Sequence, residues 1–258
     1  MLTDAQRQQF DRIGLLRLPG AIPTIDVTGM CARLWEFLAS EHGIVQGRPQ
    51  TWPCGTVRRL QAATRSGAFN PMASAVVCAA LDDILGTDAR LPGHAPWWGG
   101  PLVTFRSATC WTVPSVSWHL DGPGNEPGVT VFAYLAPVQA QNGGTLVVEG
   151  SHRLVDRYLQ ATGTLGSAKI KAGLAKLHPW LRDLWTDKPD PDPNRFARYL
   201  QHGVTVGGQH LIVRELTGET GDVVLMNARC LHAPAPNALT KPRMMLVEHV
   251  GRPWRAPA

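Results

Sequence analysis

From about residue 101 onward the chain breaks into short runs rich in Val, Thr, Leu and Trp, punctuated by Gly, Pro and Asn, which is how antiparallel strands look in sequence. Seven such runs stand out, at 102–106, 110–118, 129–135, 145–148, 211–216, 223–226 and 243–250. The first third reads differently. Thr3 followed by Gln6 forms a capping box, and Leu2, Ala5, Phe10 and Ile13 supply an apolar stripe that stops at Gly14. A strand at 15–18 follows, then helices over 24–40 and 67–85, the second stopped by Gly86. Helices first, then seven or eight strands, predict a mainly β fold with flanking helices: a double-stranded β-helix, or cupin-like jelly roll. The expected organisation is a single domain, helical over about 1–100 and jelly roll over about 101–250. Segment 154–201 interrupts the strands, carries Pro189, Pro191 and Pro193, and is expected to be a lid-like insertion.

Composition enters mainly by exclusion. A chain of 258 residues, 44% hydrophobic, buries enough surface to fold without disulfides or a structural metal. Cys31, Cys54, Cys78, Cys110 and Cys230 are odd in number and contain no CxxC pair, so a cysteine zinc site is absent and reduced thiols are expected. The uncharged stretch 127–148 is interrupted by Pro137, Gln139, Gln141, Asn142, Gly143 and Gly144, which suits two strands and a turn, not a membrane helix. The polar opening Met1 to Arg7 lacks the apolar centre of a secretory signal, and a cytoplasmic location is expected. The net charge of +5 is spread along the chain, without the basic run interleaved with aromatics that a nucleic-acid surface requires. A small molecule is the expected partner.

The residues that carry chemistry begin at Trp118-His119-Leu120-Asp121-Gly122. A His and an Asp two apart on extended chain project to the same face and can reach one ion. A lone HxD is common by chance, but Gly221-Asp222 opens a further strand, His232 follows it, and Arg243 opens the last strand. Two neutral imidazoles and one carboxylate form the facial set that holds Fe(II) and leaves positions open, unlike a closed zinc site. An arginine fixed relative to the second histidine can grip the far carboxylate of a 2-oxo acid bidentately, which lysine does less well.

These residues, together with Tyr134-Leu135-Ala136-Pro137-Val138, Asn142-Gly143-Gly144-Thr145-Leu146 and Gly150-Ser151-His152-Arg153, resemble the phytanoyl-CoA dioxygenase family of Fe(II)/2-oxoglutarate-dependent oxygenases. The resemblance covers about 101–250, and residues 2–18 also look like the family's start. It implies a double-stranded β-helix, iron held by His119, Asp121 and His232, and 2-oxoglutarate anchored by Arg243. It further implies O2 as co-substrate, release of succinate and CO2, and oxidation of a C–H bond, hydroxylation being the expected outcome. The insertion after Arg153 departs from the family pattern and leaves the substrate open.

Other candidates have two readings each. Thr145 either gives its hydroxyl to a 2-oxoglutarate carboxylate or is an ordinary strand residue. Asn142-Gly143-Gly144 is expected to be a turn, and His152 with Arg153 a structural loop corner. Arg243, Met245, Val247 and His249 share one strand face, with His249 expected as a hydrogen-bonded core histidine. His42, His94, His178, His202 and His210 read as surface residues. Nine of the eighteen aromatics are Trp; Trp97, Trp98, Trp111 and Trp118 either fill core or wall a substrate pocket, with Trp118 the candidate beside the iron. Two rival functions use the same fold. A cupin-like metal isomerase or hydrolase working without O2 has no use for Arg243, and a jelly-roll binding module that has lost turnover has no need of all three ligands.

Overall fold

The computed structural model describes residues 1–86, 91–92, 96–121, 128–186 and 192–251. Gly122, His94, Pro189 and Pro191 lie outside the described residues. The capping box forms as expected: Thr3 and Gln6 satisfy each other's backbone at the start of helix α1 (Asp4–Ile13), and Gly14 closes it at φ 78°. Strand β1 (Leu15–Leu18) and helix α2 (Thr24–His42) follow. The helix expected over 67–85 starts later than expected. Pro71 sits in a 3-10 turn at Asn70–Met72 and Ser74 caps a later start, so that only α4 (Ala75–Leu85) is α-helical there, and a short α3 (Gln61–Arg65) precedes it.

The remaining elements are β2 (Leu91–Pro92), β3 (Gly100–Thr104), β4 (Gly128–Tyr134), β5 (Thr145–Glu149), α5 (Ser151–Thr162), α6 (Ser167–Ala175) and α7 (Pro179–Leu184). A π-helical turn (Ala197–His202) leads into β6 (Val204–Val206), β7 (Gln209–Glu215), β8 (Val223–Asn227), β9 (His232–Pro234) and β10 (Arg243–Gly251). The strands form two antiparallel sheets that do not close on each other. One runs β1-β8-β4-β10-β2, with β3 also pairing β10, and the other runs β6-β7-β5-β9. β2, β6 and β9 are too short for alternation to reveal them.

Period-two alternation sorts each strand's side chains. On β4, Val129, Val131 and Ala133 pack outward against α2 and α4, joined by Met244, Leu246 and Val250 of β10. Phe132 and Tyr134 point inward with Met245, Val147, Val224 and Met226, filling the space between the sheets. On the far side, Leu146, Val148, Leu211, Val213 and Ala233 turn outward from the four-stranded sheet and meet Leu154, Ile170, Leu174, Leu181 and Leu184 of α5, α6 and α7. The described helices of the segment expected to be lid-like, α5, α6 and α7, form a packed layer behind the smaller sheet, because their apolar faces bury against that sheet.

The run 110–118, expected as a strand, is irregular. Its main chain bonds to side chains instead of a neighbouring strand: Arg195 donates to the carbonyls of Val113 and Pro114, and Trp118 Nε1, from within the run, donates to Pro114.

Candidate active site

His119 and His232 are brought together by backbone pairing. Each donates its N–H to the other's carbonyl, at 2.9 and 3.0 Å, so the two residues face each other across an isolated bridge. Their ring centroids lie 4.1 Å apart. Both imidazoles are oriented in the same way. His119 Nδ1 meets the Ser117 carbonyl at 2.8 Å and His232 Nδ1 meets the Cys230 carbonyl at 3.0 Å, so each Nδ1 carries its proton and each Nε2 is presented to the site. Ser117 adopts φ 68° to aim its carbonyl, a conformation that costs about 1–2 kcal/mol for a residue with a Cβ.

Asp121 completes the set. Its Oδ1 lies 3.4 Å from His232 Nε2 and 3.9 Å from His119 Nε2. The ligand atoms of the three residues all fall within 4.8 Å of one another, close enough to meet on one metal ion. The other carboxylate oxygen is already engaged: Thr130 Oγ1 donates to Asp121 Oδ2 at 2.6 Å. A hydroxyl has one proton to give, so His249 Nδ1, 3.2 Å from Thr130 Oγ1, is the donor in that second contact. His249 is thus not the core histidine that alternation suggested. It is half exposed, faces inward beside Thr130, and sits 3.5 Å from Asp121 Oδ2.

Electrostatics suit cation binding. Burial works to raise the Asp121 carboxyl, but the hydrogen bond and charge of His232, the charge of His249 and the Thr130 hydroxyl outweigh it and hold the group well below the usual carboxylate range. Partial burial, together with the neighbouring His232, lowers His119 below the ordinary histidine value. Near neutrality the set is therefore a carboxylate with at least one neutral imidazole, ready to ligate.

Arg243 lies at the start of β10, only 3% exposed. Its Nη1 donates to the Gly143 carbonyl at 2.6 Å and its Nη2 to Thr104 Oγ1 at 3.0 Å, while its buried Nε has no partner. Burial pushes its pKa down to about 10, opposed by Tyr134 and Glu215, so it remains cationic at neutral pH. The Tyr134 hydroxyl is likewise buried without a partner, and burial raises its pKa, leaving it a protonated donor. Two donors left unsatisfied on one inward face fit an anion such as the distal carboxylate of 2-oxoglutarate. The expected Asn142-Gly143-Gly144 turn supports this corner. Gly143 takes φ 77°, and a Cβ at Gly144 would stand 2.5 Å from the Leu216 carbonyl, so the main chain there needs glycine.

The other candidates separate by face. Thr145 is buried, pairs Pro234 and shares the inward side with Val147. Trp118 does not line the site. Alternation that turns His119 and Asp121 inward sends Trp118 and Leu120 outward into the helical layer. Trp111 packs at that same cluster and Trp98 against the helical side of the larger sheet. His152 is a helix residue of α5, buried, with Nε2 on the Asp11 carbonyl at 3.0 Å, which ties α1 to α5. Thr130, Tyr134 and Thr104 were missed as site residues; for the first two the available signal was the alternation of β4, where Thr130, Phe132 and Tyr134 share the inward face, whereas Thr104 ends β3 and had none.

The chain matches the model of the phytanoyl-CoA dioxygenase (PhyH) family over residues 59–245. No curated protein matches it significantly. Among solved structures it is similar to the epimerase SnoN in complex with Fe3+, alpha ketoglutarate and nogalamycin RO, at 16% identity and TM-score 0.59, covering 96% of this chain and 83% of that one. It is similar to HygX from Streptomyces hygroscopicus with nickel and 2-oxoglutarate bound, at 15% identity and TM-score 0.55, covering 98% and 88%. AviO1 from Streptomyces viridochromogenes Tue57 matches at 16% identity and TM-score 0.57 over 100% of both chains. Among the described residues no helix is long and apolar enough to cross a membrane.

Proposed function

The chain belongs to the phytanoyl-CoA dioxygenase family of Fe(II)/2-oxoglutarate-dependent oxygenase-type enzymes, and from that premise we propose that it hydroxylates a C–H bond of a small organic molecule. The observation that carries this reading is the pairing of two features on one inward surface: the His119, Asp121 and His232 set, and the buried, incompletely satisfied Arg243. A metal isomerase or hydrolase needs the first and not the second.

In this reading His119 and His232 would hold the iron through Nε2 and Asp121 through Oδ1. Iron and 2-oxoglutarate, when bound, would supply with O2 the oxidising power, with succinate and CO2 as the co-products. Arg243 and the Tyr134 hydroxyl receive the distal carboxylate, whose charge is matched in a setting that excludes water. Phe132, Val147, Val224 and Met245 make that interior apolar and keep solvent from the reacting atoms. Thr145 stands on the same inward side and is the further hydroxyl for the co-substrate. His249, half exposed beside Thr130 and 3.5 Å from Asp121 Oδ2, is the polar contact for an incoming substrate. Asp121 fills the position a halide would need, which favours hydroxylation over halogenation.

The test is substrate-dependent succinate release over a panel of small hydroxylated and apolar metabolites, with product mass as a second readout. One added oxygen and loss of turnover in Asp121→Ala support the proposal. A product of unchanged mass points to epimerisation, a reading favoured by the likeness to a structure described as an epimerase. Near-native turnover in Asp121→Ala overturns the ligand assignment.

A further inference from the structure

Two hydrogen bonds reach from α6 to the backbone on either side of His119. Leu120 N donates to Ser167 Oγ at 2.9 Å, and Lys171 Nζ donates to the Trp118 carbonyl at 2.5 Å. Ser167 opens α6 and Lys171 follows four residues later, so both side chains leave one face of the helix. Between these two anchors, Trp118 and Leu120 bury their side chains with Ile170 and Leu174 of the same helix. Alternation then leaves His119 and Asp121 no orientation but inward, toward His232.

Upstream, Arg195 donates to the carbonyls of Val113 and Pro114 and also to those of Asp183 and Leu184, tying the approach to this segment into the same layer. The segment belongs to no strand. Its ladder pairing among the described residues is the single bridge to His232, and Ser117 holds a left-handed φ of 68°.

We propose that α6 clamps the metal-binding segment, with Ser167 and Lys171 as positioning residues for His119 and Asp121, so that iron affinity is set in part by a helix outside the two sheets. The inference rests on the assignment of His119, Asp121 and His232 as iron ligands. A segment ordered before the metal arrives loses no freedom when it binds, whereas a free one must be ordered at that moment and binds more weakly. Partners that orient metal ligands are worth about 10- to 100-fold in metal affinity. The helical layer therefore has a role in metal binding as well as any role in substrate choice.

The test uses the full-length metal-free protein under anaerobic conditions. Fe(II) affinity is measured by competition with a chromophoric chelator, and amide hydrogen exchange of peptides spanning 117–121 by mass spectrometry. The variants are Ser167→Ala, Lys171→Met, Lys171→Arg and, as a control, Lys169→Met, an exposed lysine of the same helix.

Ser167→Ala and Lys171→Met are expected to raise the Fe(II) Kd about tenfold. Both should speed exchange in 117–121 while thermal midpoints shift little. Lys171→Arg should recover most of the affinity, and Lys169→Met should match wild type. Unchanged affinity and exchange in both variants overturn the clamp. So does a loss of affinity that merely tracks global destabilisation and is equal in Lys171→Arg. If wild type itself binds no Fe(II), the ligand assignment fails, and exchange in the metal-free protein then decides the clamp alone.

Discussion

Thr130 Oγ1 lies 2.6 Å from Asp121 Oδ2 and thereby decides which carboxylate oxygen faces the two histidines. The hydroxyl occupies Oδ2, and Oδ1 alone is turned toward His119 and His232. A carboxylate fixed in this way presents a single donor to a metal, which keeps other positions open for co-substrates. Thr130→Val, which keeps the shape and removes the hydrogen bond, is expected to weaken Fe(II) binding about tenfold. Thr130→Ser should restore it. Chelator competition on the metal-free protein reads both.

Tyr134→Phe removes a buried hydroxyl that has no protein partner. Relieving an unsatisfied buried group costs no stability and can add about 1 kcal/mol. The thermal midpoint should therefore hold or rise, while the 2-oxoglutarate concentration needed for half-saturation increases several-fold. A fall in midpoint with unchanged co-substrate binding contradicts a role for this hydroxyl in anion binding.

Trp118→Ala separates two roles that the sequence left open. With its ring buried in the outer helical layer, truncation should destabilise by about 3–5 kcal/mol, the usual cost of emptying an aromatic core position. Trp118→Phe should lose far less stability, and neither variant should change substrate preference. Urea unfolding midpoints and a substrate panel at matched folded fraction check this.

The metal-free protein should lose stability on acidification. Burial lowers the pKa of His152, and partial burial with the nearby His232 lowers that of His119, so both fall below the unfolded value of about 6.5. Between these values the unfolded chain binds the protons and the folded chain does not, so stability rises with pH and falls as pH drops through about 6.5. Comparing urea midpoints at neutral and mildly acidic pH reads the slope. His119→Asn and His152→Asn should each reduce it.

The cluster of His119, Asp121 and His232 and the buried Arg243 were legible as candidates because each sits on a pattern: an i, i+2 pair on extended chain, a second histidine after a Gly-Asp turn, and an arginine opening a strand. The capping box of α1 was legible for the same reason, being local. Trp118 is a neighbour of His119 in sequence but not in space, because adjacent residues on extended chain point to opposite faces, and its ring is buried in the cluster that holds Ile170 and Leu174. Thr130 and His249 were missed as a pair because their contact comes from the β4–β10 register, where Thr130 stands opposite His249. The packing of α5, α6 and α7 was not legible, because their apolar faces show their purpose only against the outer side of the smaller sheet.

The most direct measurement is an anaerobic titration of the metal-free protein with Fe(II) and then 2-oxoglutarate, following the weak visible charge-transfer band of the ternary complex, in wild type and Arg243→Lys. Arg243→Lys keeps the charge and loses the planar fork. The account predicts a band in wild type that depends on both additions, and the same band in the variant only at far higher 2-oxoglutarate. A wild type that binds Fe(II) and develops no band, or a variant that saturates at the wild-type concentration, would contradict it.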